Sequence, residues 1–402
     1  MTAPAHGAVR SVRLAVTALL VGLGSIGAGR AVADDSLAAG PARPFVRGGY
    51  DDKPHIAGLF GRIAVGGYLE ARAGWTRQDG VTDELGIEVT RWNLLVSTRI
   101  RERVDIFSEI EFEDGGGETT VELAQVDVRL VPAFNTRAGV LLLPLGRFNL
   151  AHDAPRNEMI TRPAEAEELL GVALAQPGLG AFGRIDRPGG ARLTYEAYAV
   201  TGYHHGLLAD APGGTRLSAG KRNFEDANAS PGVVARVEWS PHHRAALGLS
   251  GYHGAYNLYR LDGLAVDERR DVAVAVIDFE APTGPIQWSG EAAAVRVDLP
   301  PTLAGLFAGR QAGAYLMGAW RFGETWIAGM PGSSFTLAAR VEAVDFDRDL
   351  SGDSMRALGL GLNFRPIPET VLKLGFERGE TRDRFNNLGA FARIRLGVAS
   401  YF

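Results

Sequence analysis

Hydrophobic and polar residues alternate along most of this chain, and the stretch that organises it runs from Val121 to Gly180. Ala124, Val126, Val128 and Leu130 fall on one side of a run whose other side carries Gln125, Asp127 and Arg129. A period of two places these on opposite faces of a strand. After the turn VPAFNT, residues Thr136, Ala138, Val140 and Leu142 repeat the oily side while Arg137 joins the polar one. The pair reads as a hairpin. Residues 149–180 then form the longest polar interruption, a loop carrying Asp153, Arg156, Glu158, Arg162, Glu165, Glu167 and Glu168.

The same rhythm runs to the C-terminus. A first strand is expected over 61–76, then a polar loop QDGVTDE, a second strand over 85–100, the tight turn RER, and the strand VDIFSEIEFED. In that third strand Val104, Ile106, Ile110 and Phe112 oppose Asp105, Glu109 and Glu111. Continued to the end, the pattern predicts about sixteen strands. Connections after even-numbered strands are mostly short and hold Pro or Gly (RPGG, SPHH, PTGP, RPIPE), while those after odd-numbered strands tend to be longer and polar. This asymmetry predicts an all-β fold, a transmembrane antiparallel up-and-down barrel with short turns at one end and long loops at the other. In lipid a sheet must close on itself to satisfy every N–H and C=O, so an oily outside and a polar inside are expected.

The last strand carries both faces: Ile394, Leu396, Val398 and Phe402 on one, Arg393, Arg395, Gly397 and Tyr401 on the other. Trp75, Trp239, Trp288 and Trp320 fall near strand ends, where an interfacial girdle places them. The alternative is a soluble β-sandwich or jelly roll. Its oily face would be a core of bulky residues, whereas here the larger side chains lie on the charged face.

Composition adds the compartment. Arg10 and Arg13, an apolar run from Leu14 to Gly29 and the small residues Ala31-Val32-Ala33 read as an export signal over 1–33, cleaved near Ala33. Residues 34–60 are a short arm rich in Gly, Pro and Asp, and 61–402 the barrel. The chain has no cysteine, so disulfides are not part of its framework. Its formal charge of −5 does not suggest nucleic acid as a partner.

Enzymatic and metal chemistry find no support in motifs. There is neither a G-x-S-x-G elbow nor HExxH. Asp345, Asp347, Asp349 and Asp353 resemble a calcium loop, but Gly352 falls at the wrong position and the closing glutamate is missing. His204-His205 and His242-His243 are expected on opposite sides of the membrane and cannot make one site. No cofactor and no metal are called for. A non-channel barrel, adhesive or structural, or a barrel enzyme stand as alternatives.

The runs RVDIFSEIEFEDG, VELAQVDVRLVPAFNTRAGVLLLPLGRFNLAHDAPRNEMITRP and GLGAFGR resemble bacterial outer-membrane porins allied to the phosphate-selective porin O and P family. The resemblance covers about residues 61–203. It implies passive diffusion of small hydrophilic solutes or anions through a sixteen-stranded homotrimeric barrel, surrounded by outer-membrane lipid and lipopolysaccharide. It also implies a third extracellular loop, here 149–180, folded into the lumen. Arg147, Asp153, Arg156, Glu158, Arg162 and Glu165 are the expected constriction. Arg99, Arg129, Arg137, Glu109, Glu111, Asp127, Arg340, Glu342, Arg393 and Arg395 are the expected wall charges. Tyr401-Phe402 is similar to the ending read by the outer-membrane assembly machinery. Phosphate-selective members present arginines and lysines at the constriction, whereas this loop is mostly acidic. Anion preference and general diffusion both stay open. Most wall pairs are expected to brace the sheet.

Overall fold

The computed structural model describes residues 56–58, 63–100, 103–208, 214–221 and 224–402. The expected export segment and most of the arm lie outside the described residues. Sixteen strands make up the main sheet: β1 (Ile63–Gln78), β2 (Val81–Ile100), β3 (Val104–Glu113), β4 (Glu118–Val131), β5 (Phe134–Leu142), β6 (Ala175–Asp186), β7 (Arg192–Val200) and β8 (Gly232–His242), followed by β9 (Ala245–Ala255), β10 (Asp271–Thr283), β11 (Ile286–Val297), β12 (Arg310–Phe322), β13 (Ser334–Asp345), β14 (Ser354–Ile367), β15 (Thr370–Arg382) and β16 (Leu388–Tyr401). Each pairs antiparallel with the next. β16 returns to β1, from Phe391 opposite Gln78 to Tyr401 opposite Tyr68, and the sheet closes. Within the expected arm, Ile56–Gly58 adds a short strand against Ile63–Val65.

Alternation decides which way each side chain points. In β8, Val234, Arg236, Glu238 and Ser240 are buried while Val233, Ala235, Val237 and Trp239 are exposed. On the exposed side of β14–β16 the register sets Leu360 beside Phe376, Leu362 beside Leu374, and Leu374 beside Leu396. These residues are 39–57 % exposed, so β14–β16 carry a leucine-rich outer face, a surface that water disfavours. At the short-turn end of the barrel Trp320, Phe322, Phe335 and Phe364 form an aromatic chain with ring spacings of 4.8 to 5.9 Å.

Two expectations are corrected. The polar loop QDGVTDE does not form, because Asp79 and Gly80 both take positive φ (49° and 84°) and turn the chain in two residues. That is the geometry of a tight hairpin turn whose twist matches its strands, so Val81 onward belongs to β2. The inward face is also not polar throughout. Val272, Val274 and Val276 of β10, Ala293, Val295 and Val297 of β11, and Tyr198 of β7 join leucines of the long connections in one buried cluster. Those leucines are Leu143, Leu145, Leu169 and Leu174 of the β5–β6 connection and Leu207 and Leu217 of the β7–β8 connection. Near the long-loop end of β7–β11 the buried face is therefore apolar. Towards the short turns it becomes charged, with Arg236, Glu238, Asp278 and Glu291.

Replacing Gly80 with valine should strain the turn, since its φ of 84° suits glycine. The barrel's urea midpoint should fall by an amount equivalent to about 1–2 kcal/mol.

Candidate functional site

The β5–β6 connection is fixed to side chains from the buried face of many strands. At its start Gly146 donates its N–H to Ser250 Oγ (3.0 Å), and the N–H groups of Arg147 and Phe148 donate to Glu291 Oε2 (2.7 and 3.1 Å). The Arg147 guanidinium binds Glu280 and approaches Glu238 at 3.8 Å. Buried His152 lies between the Asn149 carbonyl (2.8 Å) and Glu122 (3.4 Å).

Further on, Tyr401 Oη donates to Asp153 (2.8 Å) and accepts from Arg156 Nε (2.8 Å). Lys373 Nζ donates to the carbonyls of Ala154 (2.7 Å) and Met159 (3.3 Å), and Arg365 to that of Pro155 (2.7 Å). Glu158 accepts from Asn363 (2.7 Å) and Arg365 (3.3 Å). Arg340 then donates to the carbonyls of Thr161 (2.7 Å) and Arg162 (3.1 Å), while the Ala164 N–H donates to Glu342 (2.8 Å). A connecting segment has backbone groups that would be costly to bury unpaired. Here cationic side chains of β13–β15 supply the missing donors.

Two adjoining cavities of about 300 and 370 Å³ lie beside this segment, and both are lined by Arg72, Arg91, Arg162 and Glu167. Each has room for about ten waters. The first is ringed by Glu70, Lys373, Glu377, Arg393 and Arg395 on the wall and by Glu168 on the connection. The second is ringed by Glu88, Glu111, Glu113, Asp114 and Glu122, with Lys221 from the β7–β8 connection. Glu167 and Glu168 are exposed, yet protein encloses both on most sides and raises their carboxyl pKa. Arg91 and Arg72 oppose that rise at Glu167. Arginines from β1, β2 and β16 thus stand across a polar space from two acids of the connection.

The expected constriction residues divide in the structure. Arg147, Asp153, Arg156 and Glu158 are engaged as anchors, as given above. Arg162 lines both cavities. Glu165 is fully buried and lines neither.

Among the expected wall charges, Arg99 (2.6 Å) and Arg129 pair with Asp105, and Arg137 makes a two-pronged bond to Asp127 (2.7 and 2.8 Å) under the Phe182 ring. Arg340 pairs with Glu342 (3.1 Å), Arg393 with Glu377 (2.8 Å), and Glu109 accepts from Asn93 (3.2 Å). Glu111 and Arg395 line the cavities. Arg91 binds Glu70 at 3.1 Å. Phe402 is half-exposed and stacks near Trp92 at 6.5 Å.

Sequence reasoning did not single out Lys373, Arg365, Asn363 or Glu377. All four share the parity of the charged face in β14 and β15, which is the signal that marks them. In the acidic loop Asp347 approaches Arg384 at 3.9 Å and Asp353 pairs with Arg216 at 2.9 Å.

No family model matches the chain. An uncharacterized protein of Aquifex aeolicus (strain VF5) is 29 % identical over 147 residues, 35 % of this chain and 32 % of that protein. The match thus spans about a third of the length of that curated relative. Among solved structures, the outer membrane channel DcaP of Acinetobacter baumannii aligns with a TM-score of 0.55 at 12 % identity over 85 % of this chain and 97 % of its own. OmpF of Salmonella typhi in complex with daunomycin gives 0.54 at 10 % identity, covering 85 % of this chain and 97 % of its own. The anion-selective porin from Comamonas acidovorans gives 0.52 at 12 %, covering 85 % and 99 %. The chain has the fold of these outer-membrane barrels.

Tyr401→Phe keeps the aromatic ending but removes the hydroxyl shared by Asp153 and Arg156. It should leave barrel assembly intact while loosening the connection by about 1–3 kcal/mol. Faster proteolysis within 143–174 of a correctly folded barrel is the readout.

Proposed function

We propose that the chain is an outer-membrane porin in which small hydrophilic solutes and ions diffuse passively along one side of the barrel lumen. The supporting observation is the pair of adjoining, charge-lined cavities inside a closed barrel whose outer face exposes many large apolar side chains. A hydrated path through an apolar-jacketed sheet has the physics of a channel. In this reading the β5–β6 connection folds into the lumen and sets the width of the path. The apolar cluster between it and the walls of β7–β11 fills the other side, so the path is eccentric. The barrel is exported by the leading segment, inserted through its Tyr401-Phe402 ending, and assembled as a homotrimer.

Selectivity follows from the lining. Glu70, Glu88, Glu111, Glu113, Asp114, Glu122, Glu167, Glu168, Glu342 and Glu377 outnumber Arg72, Arg91, Arg162, Lys221, Lys373, Arg393 and Arg395. Several of those cations are already engaged by carboxylates or carbonyls. The balance supports weak cation preference and the passage of dipolar solutes, with their basic ends toward Glu167 and Glu168. It does not support a preference for phosphate.

Reconstituted in a planar bilayer under a potassium chloride gradient, the protein should give discrete conductance steps and a reversal potential on the cation side. Glu167→Gln combined with Glu168→Gln should lower the cation-to-anion permeability ratio roughly twofold. An anion-side potential in the parent protein, with block by added phosphate, would contradict the selectivity argued here.

A further inference from the structure

Glu165 is the one expected constriction residue that the fold hides completely. It begins the turn Glu165–Leu170, the same turn that carries Glu167 and Glu168 to the cavities. Among the described residues, no hydrogen-bond donor reaches either of its carboxyl oxygens or Glu291 Oε1. The other oxygen of Glu291 accepts the Arg147 and Phe148 N–H groups.

Two glycines make room for this pair of acids. A Cβ at Gly146 would lie 2.1 Å from a Glu291 carboxylate oxygen, and one at Gly313 only 3.0 Å from Glu165 Cγ. Two buried carboxyl groups in contact, with no donor on the facing oxygens, are compatible only if one of them carries a proton.

We propose that Glu165 and Glu291 share one proton, and that this proton latches the turn bearing Glu167 and Glu168 to the barrel wall. The inference rests on the porin reading and deepens it: the width and charge of the path become proton-controlled. Glu165 is the donor, because Glu291 Oε2 already accepts two N–H groups. Burial raises the Glu165 pKa well above the usual carboxylate range, and the neighbouring Glu291 raises it further.

The surrounding charges do not relieve the pair. Asp278 of β10 and Glu342 of β13 add negative charge, and Tyr315 of β12 is a neutral neighbour. Arg147 is held by Glu280, Arg236 of β8 by Asp278 (2.8 Å), and Arg340 by Glu342. From the β7–β8 connection, Lys221 is turned to the Val172 carbonyl (3.0 Å). Because the folded pKa of Glu165 is raised, the latch is fully made at low pH and is lost as pH rises through that value. Two carboxylates would then repel in a dry pocket, and the turn would leave the wall.

The test is single-channel recording on the full-length reconstituted protein from mildly acidic to strongly alkaline pH. One conductance level should dominate at low pH, and a second should appear as pH rises. The ratio of the two should change about tenfold per pH unit, the slope of a single proton. Glu165→Gln donates an amide N–H to Glu291 and has no proton to lose, so it should keep the low-pH level throughout. If that variant does not fold, Gly313→Ala crowds Glu165 from its pocket and should bring the second level in at lower pH. Conductance without any alkaline transition, or a transition that persists in Glu165→Gln, overturns the latch while leaving the pore. No conductance at any pH overturns the porin reading and the latch with it.

Discussion

The pairing of β16 with β1 is the interaction on which the rest depends. Without it, two strands would present a row of free N–H and C=O groups, a cost no hydrocarbon surrounding could meet. With it, every strand is internal and the sheet has one inside and one outside. The alternation of residues then becomes a sorting rule. Leucines of β14–β16 go out, and Asn363, Arg365, Lys373 and Glu377 go in, while Arg356, Arg378 and Glu380 stay on the outer face toward the long loops.

Once closed, a sixteen-stranded barrel encloses more space than wall side chains alone can fill. In the proposed porin the two long connections meet this. Their leucines cover the valines and tyrosines of β7–β11, and burying such side chains gains about 1.5–3 kcal/mol each. The segment that crosses to the other wall is polar in its backbone, and Lys373, Arg365 and Arg340 satisfy its carbonyls. Those cations are therefore structural, which is why counting basic residues on the inner face misjudges the charge that a solute meets. In the proposed porin the charge that a solute meets is carried chiefly by Glu167 and Glu168, since Arg72 is itself bound to Glu88.

Much of the fold was legible in the sequence. In β16 the alternation of Arg393 and Arg395 with Ile394, Leu396 and Val398 gave both faces and their direction. β10 and β11 were harder, because VAVAVI and EAAAV are apolar on both faces. Such a run signals a strand covered on both sides, but the partner covering the inner face lies far away in sequence. The turn at Asp79-Gly80 had a local signal, the Asp-Gly pair, which the polar residues after it obscured. Within the long connection, composition identified the charged residues but not their roles. Glu165 and Glu167 are two residues apart in the same acidic run, yet one faces Glu291 and the other faces water. Only the rotation of the turn between them decides which, and no spacing rule gives that rotation.

In the proposed porin a hydrated path runs beside Glu167 while the opposite side of the lumen is packed and dry. The chain contains no cysteine, so single cysteines can be placed without background. The measurement is current through the reconstituted barrel during addition of a charged, water-soluble thiol reagent. A cysteine at Glu167 should react quickly and change the current, and one at Val276 should stay unmodified with the current unchanged. Equal reaction at both positions, or reaction at Val276 alone, would contradict the account.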